Sequence, residues 1–82
     1  MAKVVIYSKT YCPFCVRAKS LFDGKGVNYE EIMVDSDPQL FDELKKKSGM
    51  LTVPQIFIDD KLIGGYTELA ALDEKGELDP LI

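Results

Sequence analysis

Cys12 and Cys15 are the only cysteines of the chain, and they stand three positions apart in the stretch KTYCPFC, residues 9–15. Such a pair offers three chemistries. A closed zinc site needs about four ligands, and one chain with two cysteines and no histidine cannot supply it from thiolates and imidazoles alone. A structural disulfide between neighbours this close adds little, because the entropy removed from the unfolded chain shrinks with the loop that is closed. Redox exchange remains the best-supported chemistry. Its attacking species is a thiolate, and whether Cys12 carries one depends on the element that holds it.

The flanking sequence defines that element. Residues 3–8, KVVIYS, are β-branched and aromatic, which suits a buried strand. After Cys12, Cys15, Ala18, Leu21 and Phe22 recur at spacings of three and four, an apolar stripe along one helix face. Pro13 fits the first turn of that helix, and Gly24 and Gly26 can end it. Cys12 therefore falls where a strand gives way to a helix N-terminus, whose partial positive charge and free N–H groups favour the thiolate. Cys15, inside the first turn, is expected to be less exposed. This suggests that Cys12 attacks and Cys15 resolves the mixed disulfide. Pro13 stiffens the link between them. Lys9 either adds positive charge for an anionic substrate or is an ordinary surface lysine; Phe14 is either an apolar wall beside the sulfur or a partly buried core aromatic.

Further along, residues 27–35 read as a second strand. The stretch SDPQLFDELKKKSG, residues 36–49, reads as a helix with Leu40, Phe41 and Leu44 on one face, lysines in the last turn and Gly49 beyond it. Residues 55–59 and 61–65 straddle Asp59-Asp60 as a hairpin. A last helix is expected from Thr67 to Lys75, packed through Ala70, Ala71 and Leu72 and stopped at Gly76. The order gives an α/β fold in which a parallel βαβ unit is followed by an antiparallel ββα unit, one four-stranded mixed sheet flanked by three helices. Its 82 residues suit a single domain, residues 1–82.

A composition that is 46% hydrophobic and 29% charged belongs to a chain that folds around a core. The net charge of -4 argues against nucleic acid as a partner. Lys45, Lys46 and Lys47 either attract a small anion or form a solvated helix face. The N-terminal residues lack a signal-peptide pattern, and no apolar stretch approaches the roughly 20 residues of a membrane helix. A cytoplasmic protein, without membrane association and monomeric, is expected.

Taken with TVPQIFID at residues 52–59 and IGGYTEL at residues 63–69, the KTYCPFC stretch makes the chain resemble the glutaredoxins, and in particular the small bacterial dithiol type. The resemblance runs over essentially the whole chain, and three motifs in the family's order are far more specific than a CxxC alone. It implies a thioredoxin-like fold and glutathione as reducing co-substrate, with no tightly bound cofactor and no metal. It implies a cis peptide bond before Pro54, with Pro54 facing the active cysteine and the Val53 backbone pairing with the cysteinyl part of glutathione beside Thr52. Gly64 and Gly65 would allow close approach of the γ-glutamyl end, and Thr67 would meet its α-carboxylate at the start of the last helix. Lys9 and a residue late in the second helix, Lys46 by position with Lys47 next to it, would meet the glycine carboxylate.

The chain departs from the family's common pattern at three places. Phe14 replaces the usual tyrosine, Tyr66 replaces a small residue or cysteine and narrows the groove, and Thr67-Glu68 replaces an aspartate pair. Glu68 either meets the γ-glutamyl ammonium or, with Thr67, simply caps the helix. The activity implied is glutathione-dependent reduction of protein–glutathione mixed disulfides through Cys12 alone and of protein disulfides through both cysteines, contributing to cell redox homeostasis. Glutathionylated and disulfide-containing proteins, with ribonucleotide reductase as one candidate, are the implied partners. Two rivals accompany this reading. One is a redoxin fed by thioredoxin reductase; the other is a carrier in which two chains hold a [2Fe–2S] cluster through Cys12 and two glutathiones, a role that the stiff Pro13 disfavours.

Overall fold

The computed structural model describes residues 2–82. Chain order is β1 (Val4–Ser8), α1 (Pro13–Gly24), β2 (Glu30–Met33), α2 (Pro38–Ser48), β3 (Gln55–Ile58), β4 (Lys61–Gly64) and α3 (Tyr66–Glu74), followed by a 3-10 turn, Asp79–Leu81. The strands form one sheet in the order β2-β1-β3-β4. β1 runs parallel to β2 and antiparallel to β3, and β3 and β4 make a hairpin. This is the expected thioredoxin-like arrangement of βαβ followed by ββα. No described helix is long and apolar enough to cross a membrane.

Strand alternation divides the core between the two faces of the sheet. Val4 and Ile6 of β1 and Ile56 and Ile58 of β3 pack with Ala18 and Phe22 of α1 and Leu69 of α3. Val5 and Phe57 turn to the other face, where Val34 and Leu44 of α2 meet them. Ser8 is the polar member of the buried side of β1. Its hydroxyl donates to Glu31 at 2.7 Å, and Lys19 pairs with the same carboxylate oxygen at 2.7 Å. Lys19 first, and then Ser8, hold the Glu31 carboxyl below its ordinary range.

The turns follow their residue chemistry. Asp59 and Asp60 both have positive φ, 52° and 66°, as a two-residue hairpin with the right-handed twist requires. Gly49 caps α2 in the left-handed conformation, and Asp37 caps its start by accepting the Leu40 N–H at 3.1 Å.

Boundaries differ from the sequence expectation at three places. β2 is shorter than residues 27–35, because the Val27 N–H turns back to the Phe22 carbonyl and finishes α1, while Val34 opens the turn into α2. α3 begins and ends one residue early, with Gly65 as N-cap in place of Thr67. Its buried residue is Leu69, whereas Ala71 faces solvent. No element is expected after Gly76, yet Leu78 is fully buried in the α1/α3 core.

Candidate active site

Cys12 is the N-cap of α1, in extended conformation, and Pro13 follows at the first helical position. The two cysteines are joined as a disulfide, with Cα atoms 5.1 Å apart. The Cys15 N–H donates to Cys12 Sγ at 3.2 Å, so the helix terminus offers its free amide to the sulfur that begins it. The sulfurs differ in access: Cys12 is half-buried, while Cys15 is 1% exposed. An approaching thiol or disulfide reaches Cys12 and not Cys15.

Across from Cys12 lies the segment 50–54. The Val53–Pro54 bond is cis, Pro54 is buried, and the Val53 carbonyl oxygen sits 3.8 Å from Cys12 Sγ, within reach of a thiol S–H when the pair is reduced. Gln55 fixes this segment. Its fully buried side-chain amide donates to the Met50 carbonyl at 3.1 Å and the Thr52 carbonyl at 3.0 Å. Two carbonyl acceptors on one nitrogen settle the amide orientation, and they leave Gln55 Oε1 without a partner among the described residues.

The third wall is the start of α3. Gly64 has φ 125°, and a Cβ there would lie 2.7 Å from Glu68 Oε1. Glu68 folds back across it, accepting the Gly65 N–H at 2.8 Å. Gly64→Ala is therefore expected to cost ~1–3 kcal/mol through backbone conformation alone, before the displacement of Glu68 is counted. Gly65, at φ -93°, would place a Cβ no closer than 3.4 Å to its nearest neighbour, so Gly65→Ala is the mild control. Chemical denaturation of both variants measures the difference, and equal midpoints would refute it.

Between these walls runs a groove of about 170 Å³, lined by Phe14, Met50, Thr52, Val53, Pro54, Gly65, Tyr66, Thr67 and Glu68. Eight of these carry expected glutathione contacts; Met50 is the addition that sequence reasoning missed, as it missed the supporting role of Gln55. Phe14 is 51% exposed, so it is a wall of the groove and not a core aromatic. Its ring faces Tyr66 at 6.3 Å, and the Arg17 guanidinium lies 5.3 Å from its centroid. Lys9 and Lys46 stand outside the lining. Lys9 Nζ sits 4.6 Å from the Phe41 ring centroid, sharing that ring with Lys45; Lys46 is exposed on α2, and Lys47 lies over Phe57.

The arrangement is a thiol–disulfide exchange site: an attackable sulfur at a helix N-terminus, a shielded second sulfur in the first turn, and an open groove whose Val53 wall touches the first. Comparison with known proteins agrees. The glutaredoxin family profile matches residues 4–63. Glutaredoxin 3 of Escherichia coli is 51% identical over 82 residues, covering 100% of this chain and 99% of that protein. A glutaredoxin of Pseudomonas aeruginosa is 48% identical, covering 100% of this chain and 98% of its own. Among solved structures, buckwheat glutaredoxin in its glutathione complex superposes with a TM-score of 0.93 at 36% identity, covering 98% of this chain and 76% of that one. By profile, by whole-length similarity and by fold, the chain belongs to the glutaredoxin family of thiol–disulfide oxidoreductases, with Cys12 and Cys15 as its redox-active pair.

Proposed function

We propose that the co-substrate is glutathione and that the main reaction is removal of glutathione from protein mixed disulfides. The observation that carries this is the groove beside Cys12, whose walls are the Val53–Pro54 edge and the start of α3. It suits a short peptide with an anionic end. The extended backbone of the cysteinyl residue pairs with Val53, and the γ-glutamyl carboxylate meets the free N–H groups around Thr67. Glu68 spends Oε1 on Gly65, which leaves Oε2 for the γ-glutamyl ammonium. Lys9 and Lys46 supply positive charge for the glycine carboxylate.

In the reaction, the Cys12 thiolate attacks the glutathionyl sulfur, an S–S bond forms to Cys12, and the protein leaves as a thiolate that takes up a proton. A second glutathione, as thiolate, attacks the same sulfur. Glutathione disulfide departs and the Cys12 thiolate is restored. With a protein disulfide, Cys12 forms the mixed disulfide and Cys15 displaces the reduced substrate; two glutathiones then reduce the internal pair. Ribonucleotide reductase is one disulfide substrate of suitable chemistry. A monomer confined to the cytoplasm, built as one domain over residues 1–82, fits the acidic composition and the reducing chemistry.

The experiment is NADPH consumption with a small glutathione mixed disulfide, coupled either to glutathione plus glutathione reductase or to thioredoxin reductase alone. Turnover in the glutathione system and none with thioredoxin reductase is the expected result. The reverse pattern would overturn glutathione as co-substrate.

A further inference from the structure

The loop from β1 to α1 carries Lys9, Thr10 and Tyr11 directly into Cys12. At its upstream end Ser8 is locked in the sheet and bonded to Glu31. Tyr11, at its downstream end, is 95% exposed and holds nothing in place. The fixed point between them is Thr10. Asp35, in the turn between β2 and α2, takes both the Thr10 backbone N–H, at 2.9 Å, and the Thr10 hydroxyl, at 2.6 Å, on the single oxygen Oδ2. Among the described residues, Asp35 supplies the hydrogen bonds that tie residues 9–11 to another element. The Asp35 carboxyl is not part of the groove, and no step of the exchange uses it.

We propose that Asp35 is a positioning residue for the nucleophile, holding Thr10 so that Cys12 enters the helix N-terminus facing Val53 and the mouth of the groove. The lever is short. Only Tyr11 lies between Thr10 and the reacting Cys12, and at 95% exposure it has no packing of its own to preserve the geometry. Charge works the other way. A carboxylate near the start of the loop opposes a neighbouring thiolate, so Asp35 earns nothing by electrostatics at Cys12. The Thr10 hydroxyl, and after it the Thr10 N–H, hold the Asp35 carboxyl below its ordinary range, with Lys9 adding in the same direction. The clamp is thus ionised and intact at neutral pH. The proposal rests on the family's exchange chemistry at Cys12 and deepens the same site, without requiring glutathione.

The test uses the whole chain in a Cys15→Ser background, so that Cys12 alone reacts. Single-turnover rates are measured with glutathione disulfide and with an aromatic disulfide lacking glutathione, together with iodoacetamide alkylation of Cys12 over a pH series and thermal melting. Asp35→Ala is expected to slow both exchange reactions roughly tenfold, the scale of a slightly misplaced nucleophile. Asp35→Asn, whose amide oxygen still accepts from Thr10, restores most of the rate. The alkylation midpoint stays or falls in both variants, because a negative charge has been removed. Asp37→Ala, which strips the α2 cap from the same turn, lowers the melting temperature and leaves the exchange rates within about twofold.

Exchange rates of Asp35→Ala within about twofold of the parent would overturn the proposal. So would an Asp35→Asn variant as slow as Asp35→Ala, or a rise in alkylation midpoint that accounts for the lost rate. If the parent reacts with the aromatic disulfide and not with glutathione disulfide, the co-substrate reading fails, and the ranking of variants on the aromatic disulfide still decides the role of Asp35.

Discussion

Cys12→Ser is expected to bring turnover of a glutathione mixed disulfide down to the rate measured without protein, while Cys15→Ser keeps that reaction running and loses the reduction of protein disulfides. The asymmetry comes from access and from stoichiometry. Cys12 caps α1 and its sulfur lies 3.8 Å from the carbonyl oxygen of Val53 in the groove wall, whereas Cys15 is sealed in the first turn. Removing a mixed disulfide needs one protein sulfur to accept the glutathionyl group, and free glutathione completes the cycle. A protein disulfide needs a second sulfur close enough to intercept the intermediate, and Cys15, whose N–H already touches Cys12 Sγ at 3.2 Å, is placed for this. The measurement is steady-state NADPH consumption for both variants on both substrates. If Cys15→Ser lost the mixed-disulfide reaction as fully as Cys12→Ser, the division of labour would be wrong.

Leu78→Ala is expected to lower stability by ~2–5 kcal/mol, the cost of deleting a fully buried leucine and leaving its cavity. Leu78 shares its cluster with Val4, Ile6, Phe22, Ile56 and Leu69, so it closes the core beneath α1 and α3 from outside both helices. Lys25 reinforces the closure by pairing with Asp73 and Asp79, each at 2.7 Å. For a domain of this size a loss of 1 kcal/mol lowers the melting temperature by about 4–8 °C, so the shift is large. Leu81→Ala is the comparison, since Leu81 is 41% exposed only three residues on. Equal melting temperatures for the two variants would show that the C-terminal segment does not close the core.

The contrast between Leu78 and the rest of the core shows what a sequence can and cannot convey. The strand and helix order was readable because each element repeats its apolar residues with its own period, as Cys15, Ala18 and Phe22 do along α1. Leu78 has no periodic neighbours, and its burial depends on a tertiary gap. Leu69 is buried and Ala71, about 200° further round the helix, faces solvent, a phase that nine residues with apolar side chains at 69, 70, 71 and 72 do not display. The helix start lies at Gly65, since Glu68 satisfies its N–H from within the helix.

The site was legible to the extent that motifs carried it. Cys12 was legible from its place ahead of a helix start, Pro54 and the double glycine from the family resemblance, and the groove lining contains Val53, Gly65 and Thr67. Gln55 and Asp35 were not, since their work is done through hydrogen bonds to backbone atoms of distant segments. A glutamine in the run PQIFI, or an aspartate after a strand, carries no local sign of the partner it will find. Phe14 had two readings, which its exposure separates, while Glu68 is seen to cap the helix start through Oε1.

The pairing of β1 with β3 also governs when the site comes into being. The Asp59 N–H donates to the Lys3 carbonyl and the Lys3 N–H donates to Asp59 Oδ1, each at 2.9 Å and across 56 positions of sequence, and Val4 faces Ile58 in register. Closing so long a loop is entropically slow compared with winding α1. A chain still folding thus presents its two thiols before it has a Val53 wall or a Gly65 turn to guide an incoming disulfide. Selectivity arrives late, with the last non-local pairing. Until then Cys12 is an unguided thiol, open to whichever disulfide reaches it first.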